Sequence, residues 1–205
     1  MRLFVAVAVP DEVAGELEGA VAPLRTAWPD LRWTRPEAWH LTLAFLGEVN
    51  ETVVTRLTPR LERAAARHTS ISLALGGAGT FPGAARARVL WTGVHGDRRE
   101  LSALADSVAA GARRADAPPA EGRRRFQPHL TLARCRAPVD ARELVAGLSG
   151  YAGSTWTAQE IYLIRSHLPG RHDGVAAGPD QQRQPRHETL ASWPLRVAAV
   201  PAPEP

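Results

Sequence analysis

The stretch His40-Leu41-Thr42-Leu43-Ala44 occurs twice in this sequence, and its second copy is His129-Leu130-Thr131-Leu132-Ala133. Each copy lies in an apolar run that predicts a β-strand, and alternate residues of a strand share one face. Each copy therefore directs its histidine and threonine to one side and its two leucines to the other, where helices can cover them. If the two strands lie side by side about an approximate twofold axis, two imidazoles and two hydroxyls meet in one small volume.

This set of side chains suits phosphoryl transfer. A neutral histidine takes a proton from the attacking oxygen, and a charged histidine gives a proton to the leaving oxygen. Threonine hydroxyls can donate hydrogen bonds to the non-bridging phosphate oxygens, where charge builds up. The chemistry requires neither a metal nor a covalent intermediate. A single histidine on a strand is usually structural, but two copies in two apolar strands rarely arise by chance.

Strand-like runs and amphipathic helices alternate outward from the two copies, which predicts an α/β or α+β domain. The predicted strands are residues 2–9, 31–34, 40–46, 71–75, 87–94, 129–134, 157–167 and 188–197. The predicted helices are residues 11–27, 52–68, 99–114 and 140–148. Residues 76–84 and 168–186 are rich in Gly and Pro and predict loops. We expect one domain over residues 1–200, with a long loop at 168–186 and a tail at 201–205.

Composition excludes several protein classes. Of the 205 residues, 44% are hydrophobic and only one is a cysteine, so a disordered chain and a disulfide scaffold are both excluded. No apolar run approaches the ~20 residues that a membrane helix needs. The lone Cys135 fits a reducing compartment, and the short apolar start predicts a first strand rather than a signal peptide. We therefore predict a cytoplasmic protein that contacts no membrane.

The charge of the chain is positive, and all of it comes from arginine. The formal net charge is +4, and the 25 basic residues include no lysine. Arginine suits phosphate and nucleic-acid ligands, although a GC-rich coding sequence explains the total equally well. The run Arg123–Arg125 lies just before the second motif strand, separated from His129 by three residues. It is either a solvated face or a surface that steers RNA towards the site, and the sequence leaves both open.

The chain resembles the two-histidine phosphoesterases, and among them the bacterial and archaeal RNA 2′,3′-cyclic phosphodiesterases, also called 2′-5′ RNA ligases. The resemblance rests on the two His-x-Thr-x motifs at residues 40–43 and 129–132. Further similar stretches follow the family's order along nearly the whole chain, at residues 2–6, 33–48, 79–82, 88–94, 126–134, 161–166 and 193–195.

This resemblance implies an α+β fold of two pseudo-symmetric lobes, each a mainly antiparallel sheet with outer helices, around a central cleft. It also implies opening of a 2′,3′-cyclic phosphate at an RNA end, including tRNA fragments, to a 2′-phosphomonoester by a monomer without metal or other cofactor. His40 would be the proton donor and His129 the proton acceptor, while Thr42, Thr131 and Arg134 would bind the phosphate. By simple alternation Arg134 faces the wrong side, so this role requires a bulge or the strand's end.

Two other functions stay open on the sequence. One is a nucleotide- or RNA-binding module on the same fold, although a pure binder has no need for an acid–base pair. The other is a phosphodiesterase of small cyclic nucleotides or of 2′-5′ oligonucleotides. The chain also departs from the family near its end, where residues 168–186 are longer than usual and His187 stands near the position of a tyrosine.

The remaining candidate residues are histidines, a cysteine and aromatics. The spacing of His167, His172 and His187 matches no zinc pattern, so we expect loop histidines and no metal site. Cys135 is expected to be a small packing residue. Among the aromatics, alternation places Phe45 on the leucine face, away from the cleft, whereas Phe81 and Phe126 are candidates for stacking on a base.

Overall fold

The computed structural model describes residues 1–120, 126–167 and 185–197. The described strands are β1 (Arg2–Ala8), β2 (Arg32–Trp33), β3 (His40–Glu48), β4 (Ile71–Phe81), β5 (Ala87–Gly96), β6 (His129–Val139), β7 (Trp156–Ala158), β8 (Glu160–His167) and β9 (Arg186–Pro194). The described α-helices are α1 (Asp11–Ala27), α2 (Glu51–Ala65), α3 (Arg98–Arg113) and α4 (Arg142–Leu148). Predictions for residues 123–125, 168–184 and 201–205 lie outside the described residues.

The strands form two antiparallel sheets of related topology. One sheet has the order β3-β1-β8-β9, and the other has the order β2-β6-β5-β4-β7. If the short β2 is set aside, each sheet begins with a motif strand, β3 or β6, and adds three further strands in antiparallel pairing. The two sheets meet where β3 contacts β6. This arrangement confirms the prediction of an α+β fold with two pseudo-symmetric lobes.

Helices cover one face of each sheet. Helices α2 and α3 pack together, α2 against β9 and α3 against β3, while α1 packs on α4, which contacts β4. The faces they cover are apolar, and residues such as Leu41, Leu130 and Leu163 are at most 1% exposed. At about 25 cal/mol per Å² of buried apolar surface, this packing supplies the main driving force for folding. The opposite faces carry the motif histidines, and we call the space between them the cleft.

Several predicted boundaries are wrong, among them the end of the second motif strand, which is Val139 and not residue 134, and two of the errors have a clear structural cause. The predicted loop at residues 76–84 is partly strand, because β4 continues to Phe81 through an irregular pairing with β5 between Gly76 and Gly79. The single strand predicted at 157–167 is two strands, since the chain leaves one sheet at Ala158 and enters the other at Glu160. Within the described residues, no helix is long and apolar enough to cross a membrane.

Candidate active site

A β-bulge in β3 sets which of its side chains face the cleft. Pairing with β1 is continuous from His40 to Thr42 and resumes beyond Leu43, which is an extra residue without a partner. An extra residue reverses the alternation of faces beyond it. Phe45 therefore joins His40 and Thr42 on the cleft face, and the prediction that it turns away is wrong.

The second motif strand has the same bulge at the equivalent place. In β6, pairing with β5 skips Leu132, between Thr131 and Ala133. The alternation of side chains between the two faces of β6 reverses at Leu132, as it does at Leu43 in β3. Arg134 therefore lies on the same face as His129 and Thr131. The bulge that an inward Arg134 requires is thus present. Arg134 of β6 occupies the position equivalent to that of Phe45 in β3.

Each motif imidazole is fixed by a hydrogen bond to the backbone two residues before it. Nδ1 of His40 is 2.7 Å from the carbonyl oxygen of Ala38, and Nδ1 of His129 is 2.7 Å from that of Gln127. A carbonyl oxygen only accepts, so Nδ1 is the protonated nitrogen in both rings. With Nδ1 protonated, Nε2 is the nitrogen of each ring that can exchange a proton, as acceptor when the ring is neutral and as donor when it is charged.

Aromatic rings hold the two imidazoles in place. His40 stacks on Phe4 with ring centroids 4.7 Å apart, and His129 meets the edge of Phe81 at 5.0 Å. Trp91 lies beside both His129, at 6.1 Å, and Phe81, at 5.4 Å. Gly79 makes room for this cluster, because a Cβ atom on it would overlap the Trp91 ring. Sequence reasoning identified Phe81 but missed Phe4 and Trp91, although both lie on cleft-facing positions of strands adjacent to the motifs.

A third histidine reaches the same place from β9. The ring of His187 is 5.3 Å from that of His40 and 5.1 Å from that of Phe4, edge-on to both. The side chain remains accessible to solvent, although its ring is partly desolvated. From the sequence, His187 was expected beside a long loop and had no assigned role. The pairing of His187 with Ser166 of β8 places it in the sheet that contains the first motif strand.

Burial and neighbouring positive charges disfavour a proton on His40. Desolvation, and then the charge of His187, lower the pKa of His40 from 6.5 to about 4, against the opposing effect of the hydrogen bond to Ala38. His129 and Arg134 lower it further, which shows that the second lobe lies within electrostatic reach of the first motif. The pKa of His187 is itself lowered by the partial desolvation of its ring.

The two motif threonines complete a set of donors around the histidines. Thr42 and Thr131 are partly exposed on the cleft face, and within the described parts of the chain their hydroxyls make no hydrogen bond. Each hydroxyl is therefore available to a ligand that lies between the lobes. A tetrahedral anion is the ligand whose oxygens would use two hydroxyls, two imidazoles and the Arg134 guanidinium together.

The other described candidates take part in packing or in a separate ion pair. Phe126 packs partly buried against the core, and Cys135 is buried, as a packing residue would be. His167 pairs instead with Glu188 at 2.8 Å. In the described ranges, no group of three or more His, Cys, Asp or Glu side chains is arranged to hold a metal ion. His172 and the run at 123–125 lie outside those ranges.

Comparisons with known proteins agree with this architecture. A model of the 2′-5′ RNA ligase superfamily matches residues 9–170. An RNA 2′,3′-cyclic phosphodiesterase of Archaeoglobus fulgidus is 35% identical over 172 residues, which is 82% of this chain and 92% of that protein. A protein of the same name from Geobacillus stearothermophilus is 29% identical over 94% of this chain, and this chain spans 56% of its length.

Solved structures show the same fold. A Thermus thermophilus protein superimposes with a TM-score of 0.75 at 27% identity, covering 97% of this chain and all of that one. Escherichia coli LigT complexed with 3′-AMP gives a TM-score of 0.69 at 26% identity, covering 95% of this chain and 97% of LigT. Both structures match nearly the whole of this chain, with both of its sheets.

Proposed function

The chain belongs to the 2′-5′ RNA ligase superfamily, and from that premise we propose that it hydrolyses 2′,3′-cyclic phosphates at RNA ends to 2′-phosphomonoesters. The observation that carries this proposal is the pair of matched His–Thr sets, each on a bulged strand and each with its Nδ1 anchored on a carbonyl oxygen. The names of the curated relatives and the 3′-AMP complex of LigT support the same substrate class.

In the proposed mechanism, His129 is the base and His40 is the acid. Nε2 of His129 takes a proton from water as the water oxygen attacks phosphorus. The bond from phosphorus to the 3′ oxygen breaks, and Nε2 of the charged His40 gives its proton to that oxygen. The products are a 2′-phosphomonoester and a 3′-hydroxyl. If a 5′-hydroxyl takes the place of water, the same groups form a 2′-5′ linkage, so ligation follows the same path.

Thr42, Thr131 and Arg134 bind the phosphate in this proposal. The threonine hydroxyls donate to non-bridging oxygens, and these bonds strengthen as negative charge builds up in the transition state. The guanidinium of Arg134 adds a charge-assisted contact from the second lobe. Removal of one such donor from an enzyme site typically costs about 10²–10³ in turnover.

The donor role of His40 depends on the substrate's own charge. With a pKa of about 4, only about one His40 ring in a thousand is charged at pH 7 in the unliganded protein. An anionic phosphate beside the ring favours the charged form and raises that pKa. Protonation of His40 is therefore coupled to substrate binding, and the acid is formed where the reaction needs it.

The decisive experiment treats an oligoribonucleotide ending in a 2′,3′-cyclic phosphate with purified protein in EDTA, between pH 5 and 9. We expect conversion to a 2′-phosphate end, identified by its mass and by its removal with a phosphomonoesterase, which leaves a cyclic end intact. The matched control is the His40→Ala variant. Binding without conversion at any pH would indicate a nucleotide- or RNA-binding module, and a requirement for added metal would overturn the mechanism.

The substrate class is tested in parallel. A 2′,3′-cyclic mononucleotide and a 2′-5′-linked dinucleotide are offered at the same concentration as the oligoribonucleotide. We expect the oligoribonucleotide to give the highest kcat/KM. A higher value for either small substrate would transfer the assignment to a phosphodiesterase of small nucleotides.

A further inference from the structure

Three arginines on three strands lie at one end of the cleft. Arg32 of β2 is directly opposite Arg134 of β6, so the two side chains leave the same face with Cβ atoms about 5 Å apart. Arg2 of β1 precedes Phe4 by two positions and so shares its cleft-facing side, while Leu3 between them is buried. Both lobes therefore contribute guanidinium groups to one surface, which we call the arginine cluster.

No carboxylate neutralises the arginine cluster within the described residues. Some arginines elsewhere do pair with a carboxylate, for example Arg142 with Asp140 at 2.7 Å and Arg56 with Asp116 at 3.1 Å. The nearest acid by register is Glu48, opposite Arg2 in the sheet, but its carboxylate lies 3.4 Å from the amino group of Met1. Three like charges at one place are thus left for solvent or for an anionic ligand to neutralise.

The electrostatic consequence falls on Arg134. Burial, and then the charges of Arg32 and Arg2, lower the pKa of its guanidinium. Because like charges at short range repel one another, the unliganded arrangement stores unfavourable energy that a bound anion would relieve. The influence of Arg2, which lies in the other sheet, also shows that the first lobe reaches this end of the cleft.

Two members of the arginine cluster, Arg2 and Arg32, lie beyond the catalytic set, whereas Arg134 belongs to both. Along β6, the cleft-facing order is His129, Thr131 and then Arg134, and Arg32 is on the far side of β6, on the edge strand. A phosphate bound between the histidines can accept hydrogen bonds from Thr131 and Arg134. Arg2 and Arg32 are then left to meet a second negative charge, farther along the cleft.

We propose that Arg2 and Arg32 form a second phosphate subsite, which binds the backbone phosphodiester preceding the terminal nucleotide of an RNA substrate. This inference rests on the proposed function and extends it. The subsite makes the chain an enzyme of oligonucleotide ends, because a cyclic mononucleotide has no second phosphate to place there. Arginine binds such a group with two parallel hydrogen bonds, and each contact releases counterions from the strand.

The test compares two substrates and two variants, Arg2→Gln and Arg32→Gln, with Arg99→Gln on the exposed surface of α3 as the matched control. For a tetranucleotide with a cyclic end, we expect kcat/KM to fall about threefold to tenfold for each cluster variant. For the cyclic mononucleotide it should stay within about twofold of the parent. Equal losses on both substrates, or no loss on either, would overturn the subsite.

A binding measurement separates this proposal from the proposed function. Fluorescence anisotropy is recorded for a labelled tetranucleotide with a 3′-phosphate end, at a series of salt concentrations. The slope of log affinity against log salt should flatten by about 0.7 for each arginine removed, the value for one contact to a single strand. An unchanged slope would refute the subsite even if the enzyme is active, and a flattened slope would support it even if no hydrolysis occurs.

Discussion

Replacement of His187 by glutamine tests how the first lobe sets the protonation of its motif histidine. The two rings are 5.3 Å apart, and the charge of His187 is, after burial, the next cause of the low pKa of His40. A positive neighbour disfavours a proton, so its removal must raise the pKa of His40. Glutamine keeps a polar side chain of similar length and removes the charge.

The size of the effect follows from Coulomb's law. Two unit charges at this separation repel by about 0.8 kcal/mol in bulk water and by about 3 kcal/mol at an effective dielectric constant of 20. At 1.36 kcal/mol per pH unit, the pKa of His40 should rise by roughly half a unit to two units. Burial is the larger cause and is unchanged in the variant, so the pKa should remain below 6.5.

The assay is an NMR titration of the imidazole resonances between pH 3 and 8. The pKa of His40 in the parent protein should be about 4, and saturating inorganic phosphate should raise it. His167→Gln is the matched control, because His167 pairs with Glu188 instead of the motif rings. A shift of His40 below about 0.3 units in His187→Gln, or an equal shift in the control, would refute the electrostatic link.

Three further predictions concern catalysis, packing and acid stability. The single variants His40→Ala and His129→Ala should each lower turnover about 10²–10⁴-fold, and the double variant should cost much less than the product, because the two groups act as one unit; near-normal turnover of either single variant would refute its role. Gly79→Ala should displace Trp91, lowering the free energy of unfolding in urea by about 1–3 kcal/mol and reducing turnover, whereas Gly83→Ala, in open space, should change neither. Because folding lowers the pKa of His40, the free energy of unfolding in urea should fall by about 3 kcal/mol as the pH drops from 6.5 to 4. The fall should be smaller in the His40→Phe variant. An equal fall in both proteins would show that other groups cause it.

The starts of the two motif strands and their helix-covered faces could be predicted because the pattern is repeated and has a period of two over the motif itself. A period of two, carried by apolar residues, predicts a strand with one covered face, and that face is buried in both lobes. The fold class followed from the alternation of strands and helices and from the family resemblance. The boundaries of β4 failed, since a Gly-rich run is typical of a loop, and here it accommodates the ring of Trp91 instead.

Two features could not be predicted from the sequence: which face a side chain occupies beyond a β-bulge, and which residues of different strands lie close together. Nothing in the local pattern distinguishes Leu43 from Leu41, so Phe45 was assigned to the wrong face. The place of His187 depends on the pairing of two strands whose connection runs through residues 168–184. Long-range pairings of this kind are set by tertiary contacts and not by local propensity.

The two bulges explain how a symmetric fold arrives at an asymmetric site. In each motif strand the pairing skips the leucine that follows the motif threonine, Leu43 or Leu132, and the residue two positions later turns into the cleft: Phe45 in β3 and Arg134 in β6. Phe45 adds an apolar ring 6.0 Å from Phe4, beside the buried and poorly protonated His40. Arg134 adds a fixed charge on the side of His129. A duplicated scaffold thus supplies matched imidazoles, while a single position in each copy makes one side apolar and the other cationic. The two histidines therefore have unlike surroundings and different proton affinities, and His40 becomes the acid only when an anionic substrate offsets its apolar surroundings.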